Sequence, residues 1–152
     1  MALNKSERGQ SLVEMAFSLV MFLILVGGAV EIGLALFQYV TMRDAAQEGA
    51  LYGSFNPADE NGIKNRALDA VGDIMPNLTA ADIDVTINGS SVADAVSGGY
   101  ACEGLTASVP NFITVGITFV HPVTMPYIGE RMGQSVNLNA GVTDTILSPA
   151  CD

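Results

Sequence analysis

Arg8-Gly9-Gln10-Ser11-Leu12-Val13-Glu14 opens the part of the chain on which the fold turns, because an apolar stretch begins directly after it and runs through Phe37. Only Glu14 and Glu31 place charge within residues 10–37. As an α-helix these residues measure roughly 40 Å, enough to cross a hydrocarbon core of about 30 Å with some tilt. Lys5 and Arg8 precede the stretch and orient the N-terminus toward the cytoplasm. The segment is expected to cross a membrane once.

Glu14 and Glu31 would lie about 25 Å apart along such a helix, one near each edge of the core. Glu31 then reads as an interfacial charge. Glu14 falls within the first turns of the span, where a carboxylate costs a few kcal/mol and usually marks a partner; the plainer alternative is an acid that snorkels or is protonated. Further along, Gly27, Gly28, Ala29, Gly33 and Ala35 crowd together. Ala29 and Gly33 form a small-xxx-small pair on one helix face, a pattern that lets two helices approach closely, although paired glycines can also simply kink a helix.

Gly9 followed by Glu14, the fifth residue counting from Gln10, resembles the prepilin peptidase signature. The resemblance implies cleavage between Gly9 and Gln10, with prepilin peptidase as a partner and Glu14 pairing with the free N-terminal amine of a neighbouring subunit. Val30-Glu31-Ile32-Gly33 and the block Asp44-Ala45-Ala46-Gln47-Glu48-Gly49-Ala50-Leu51-Tyr52-Gly53 extend the likeness. Together they resemble the TadE-like family of tight adherence (Tad) pilus proteins. Members commonly carry arginine where this chain has Gln47 and Leu51, so its helix surface is less basic than is typical. The likeness covers Gly9 to Gly53 and is diffuse afterwards.

Helical spacing of Val40, Ala46, Ala50 and Leu51 extends the first helix to about Leu51, with Gly53 as its stop. Ser54-Phe55-Asn56-Pro57 is a break, and Ile63, Ala67, Val71 and Ile74 predict a second amphipathic helix ending before Pro76. The period then changes to two: Asp82-Ile83-Asp84-Val85-Thr86-Ile87 reads as a strand closed by the turn dipeptide Asn88-Gly89. A loop rich in Gly, Ser and Ala follows. Residues 112–120 read as a central strand and residues 135–147 as another, joined by residues 121–127 with a short helical turn before Gly133. The expected class is α+β: a long transmembrane helix continuing into a stalk, then a helix packed on an antiparallel sheet of about three strands. The expected division is a cytoplasmic leader at 1–9, a transmembrane helix at 10–37, a helical stalk at 38–53 and an extracytoplasmic domain at 54–152.

Of 152 residues 49% are hydrophobic and 14% charged, with a formal charge of −10. After Phe37 the bases are Arg43, Lys64, Arg66 and Arg131 alone, too sparse for a phosphate-binding face, so nucleic acid is excluded as a partner. Cys102 and Cys151 fall in the part that topology places outside the cytoplasm, where a disulfide closing a loop of about 50 residues would stabilise by roughly 3–4 kcal/mol. Two free buried thiols are the alternative. The single histidine, His121, precedes a proline without an accompanying nucleophile or orienting acid, and neither zinc-ligand spacing nor a complete calcium loop occurs. No enzyme activity, cofactor or metal is expected.

By resemblance, the chain is a minor pilin or pseudopilin that contributes to Tad pilus assembly or surface adhesion through packing. Its partners would be other pilins reached through the transmembrane helix, and the lipid bilayer. An uncleaved single-pass accessory subunit of another membrane complex is the alternative, favoured if Met1 is retained in the mature protein. Release by signal peptidase after Gly33-Leu34-Ala35 is a third organisation, disfavoured because the apolar stretch exceeds the usual core of about 7–15 residues.

Overall fold

The computed structural model describes residues 7–99, 110–125, 129–130 and 133–147. Helix α1, Glu7–Phe55, runs unbroken for 49 residues and so measures about 73 Å. Gly27 and Gly28 do not interrupt it, and it passes Gly53 by two residues before Asn56 and Pro57 end it. Helix α2, Glu60–Val71, starts at Asp59, whose side chain accepts the Gly62 N–H at 2.9 Å. The same carboxylate accepts the Tyr52 hydroxyl at 3.0 Å, which joins the end of α1 to the start of α2 and holds that phenol above its ordinary pKa. A 3-10 turn, Gly72–Ile74, follows α2. Ile63, Ala67 and Val71 are buried as their spacing predicts, whereas Ile74 lies beyond the helix and is half exposed.

Strand β1, Ile83–Ile87, turns through Asn88 and Gly89, both at positive φ, into the two-residue strand β2, Ser90–Ser91. Positive φ at both positions is the type I′ geometry that Asn-Gly favours. Where a loop was expected, Ser91 caps a short helix, α3, Val92–Ser97, by accepting the Asp94 N–H. Val92 and Ala95 drop into the core from it, a local pattern too short for periodicity to reveal. Strands β3, Phe112–Pro122, and β4, Ser135–Thr145, complete an antiparallel sheet of order β2-β1-β3-β4. The sheet thus has four strands, the extra one being β2, and β3 is internal as its composition suggests.

The C-terminal half of α1 is a core element of this domain. Met42, Ala45, Ala46 and Ala50 are fully buried against Ile63, Ala67, Val115 and Ile117. Small residues let the backbones approach: a Cβ on Gly49 would sit 3.3 Å from Ala67 Cβ, and one on Gly53 would sit 2.5 Å from Ile113 Cδ1. The Gly53 position therefore serves close packing and does not stop the helix. At the other end of the sheet, the Ser54 carbonyl accepts the Leu147 N–H and the Asn111 carbonyl accepts the Ile146 N–H, fastening the end of β4 to the end of α1. Cys102 and Cys151 lie outside the described residues.

Gly53→Val should overpack this contact and lower the stability of the full chain by about 1–3 kcal/mol in denaturant unfolding. Gly33→Ala, whose added methyl meets no atom within 4 Å, should cause no loss in the same assay.

Candidate functional site: the N-terminal helix and its polar clasp

Two different environments divide α1. From residue 12 to 26 its large apolar side chains all face outward, with Phe17 73% and Leu25 71% exposed. That surface is about 22 Å long and carries a single charge, Glu14. Glu14 is exposed and accepts a long hydrogen bond, 3.4 Å, from the Gln10 side chain one turn earlier. A helix so composed is long and apolar enough to cross a membrane.

The domain reaches back to α1 well below its own core. Beyond β3, Met125 packs against Gly27, where any Cβ would collide with its thioether. One turn higher, Glu31 is buried and saturated. Its Oε1 accepts the Thr124 N–H at 2.9 Å, its Oε2 accepts the Thr124 hydroxyl at 2.7 Å, and His121 Nε2 stands 3.3 Å from Oε1. The second ring nitrogen, Nδ1, lies 2.6 Å from Gln38 Oε1, so His121 bridges two turns of α1. A buried carboxylate is tolerated when charge-assisted hydrogen bonds replace its water. Among the described residues every buried side-chain polar atom has a partner.

Glu31 is thus an internal fastening and not the interfacial charge that its position along the apolar stretch suggests. His121 belongs to the same structural cluster. A signal for His121 does exist in the sequence: it continues the inward phase of Ile113, Val115, Ile117 and Phe119 on β3. Its partner could not be read, because Glu31 is 90 residues away.

The remaining candidates are not gathered into one site. Ala29 and Gly33 are exposed, and at 100° per residue they point to the side of α1 opposite Gly27, Glu31 and Gln38, which face the domain. Gly9 and Gln10 lie on exposed helix at the start of the rod. Among the described residues no group of three or more His, Cys, Asp or Glu side chains is arranged to hold a metal.

Residues 9–51 match the family model described as TadE-like protein. The first third of the chain is similar to that family. The match covers the bare rod, the clasped turn around Glu31 and most of the buried face of α1. No curated protein matches the chain, and no solved structure does.

Glu31→Ala removes the acceptor for the Thr124 N–H and hydroxyl and for His121 together. Since an orphaned buried polar group costs about 1–3 kcal/mol, hydrogen exchange at the Thr124 amide should accelerate by about one to two orders of magnitude, with amides of β1 unchanged.

Proposed function

We propose that this chain is a minor pilin or pseudopilin of a Tad-type pilus, contributing to pilus assembly or surface adhesion by helix packing. The observation that carries the proposal is the bare apolar rod at residues 12–26 with one carboxylate, Glu14, near its start. The TadE-like match supports the family setting of that rod.

In this reading prepilin peptidase cuts between Gly9 and Gln10, removing the leader at residues 1–9 and its two bases. The new amine at Gln10 lies four residues before Glu14, so an unpaired copy exposes a cation and an anion about one turn apart. In an assembled bundle Glu14 of one subunit takes the amine of a neighbour, and each charge loses its cost in the apolar interior only by pairing. Ala29 and Gly33, turned away from the subunit's own domain, supply a close-approach face for that neighbour.

The span at residues 10–37 then has two parts. Its lower part meets lipid all round, while its upper part, from Gly27, is covered on one side by the domain. Residues 38–53 form the stalk that doubles as a core helix, and residues 54–152 form the extracytoplasmic domain. A Cys102–Cys151 disulfide would be stable in that compartment.

Glu14→Ala is the direct test. The variant should reach the membrane at the normal level while its share of the sheared filament fraction falls at least several-fold; normal filament incorporation at unchanged level would overturn the pairing role.

A further inference from the structure

A cavity of about 530 Å³ lies between the upper part of the rod and the β3–β4 hairpin. Gly28, Ile32, Leu36 and Tyr39 of α1 form one wall, and Val123, Val136 and Leu138 form the other. Glu31 and His121 border it, but their polar atoms are occupied by each other, Thr124 and Gln38. A polar ligand therefore finds only the Tyr39 hydroxyl to spare, whereas an apolar one covers side chains that are otherwise exposed: Ile32 is 65% exposed and Leu36 60%.

Two features select the occupant. The cavity begins at Gly28, where the fully lipid-facing surface of residues 12–26 ends, so its apolar wall continues the surface that meets acyl chains. Ile32, Leu36, Tyr39 and Arg43 then follow one another at intervals of three or four and share one helix stripe. Arg43 is exposed at the upper end of that stripe, about 16 Å beyond Ile32. Lys64 pairs with Glu60 and Arg66 lies near Glu48, while Arg43 makes no ion pair among the described residues. An apolar trough opening at the bilayer with a cation at its far end matches an anionic phospholipid. A neighbouring helix fits less well, since two turns about 10 Å wide fill about 850 Å³.

We propose that this cavity binds one membrane phospholipid, with an acyl chain between α1 and the hairpin and the phosphate at Arg43. The proposal rests on the rod being embedded in a bilayer. A bound lipid would seal the seam between the domain and the rod, burying apolar surface on both at once.

The test uses the full chain in vesicles of phosphatidylglycerol carrying a diazirine on one acyl chain, with photolabelled residues mapped by peptide mass spectrometry. The expected map has label on residues 12–26 and also on Val136 or Leu138 of β4. Arg43→Gln should lower the β4 label several-fold, and Ala35→Phe, which fills the trough, should abolish it, both leaving label on residues 12–26 unchanged. Label confined to residues 12–26 would overturn the lipid site while keeping the membrane rod. Absence of label from residues 12–26 would overturn the membrane reading itself. Crosslinks from β4 to a second copy would assign the trough to a subunit contact instead. The wild-type map decides without the variants should Ala35→Phe fail to fold.

Discussion

An α-helix satisfies its backbone hydrogen bonds within itself, and this property lets one element run from a bare outward-facing surface into a packed core. Helix α1 begins as a rod with no protein against it and ends as the central helix of a folded domain, with no loop between the two roles. Its sequence changes accordingly. Leu, Phe, Val and Met cover every side of residues 12–26, whereas after Met42 small residues collect on the one face that meets α2 and the sheet. A flexible linker at this junction would let the domain swing against the rod. Continuous helix keeps the two in fixed orientation.

The clasp at Glu31 extends that rigidity downward. Without it, the far end of the β3–β4 hairpin would be joined to α1 only by apolar contact on a half-wet surface. The carboxylate takes both polar groups of Thr124, and His121 ties the same strand end to Gln38 almost two turns later. Because Glu31 and His121 are buried, either of them left without its partners would be costly. Met125 against Gly27 adds a steric key at its lower edge.

Much of the architecture could be read from sequence because its signals are local. The apolar run, the period of α2, the alternation of β1, β3 and β4, and the Asn88-Gly89 turn each depend on residues within a few positions of one another. What escaped depends on long-range pairing or on very short elements. The role of Gly53 follows from Ile113, sixty residues on; the burial of Glu31 follows from Thr124; α3 is too short to show a period. The glycines and alanines of α1 also carry no label saying which face is used. Gly27 and Gly49 are taken by the chain's own domain, whereas Ala29 and Gly33 are left outward, and only the packed structure separates the two sets.

On the proposed function the apolar surface of the rod packs against neighbours in a filament, which requires that the basic leader be removed. The mature N-terminus, read by intact mass and N-terminal peptide mapping from native membranes and from sheared surface filaments, tests this most directly. A chain beginning at Gln10 in both fractions is the expected result. A chain retaining Met1 or beginning at Ala2, with none in the filament fraction, would contradict it and leave a permanently anchored single-pass subunit.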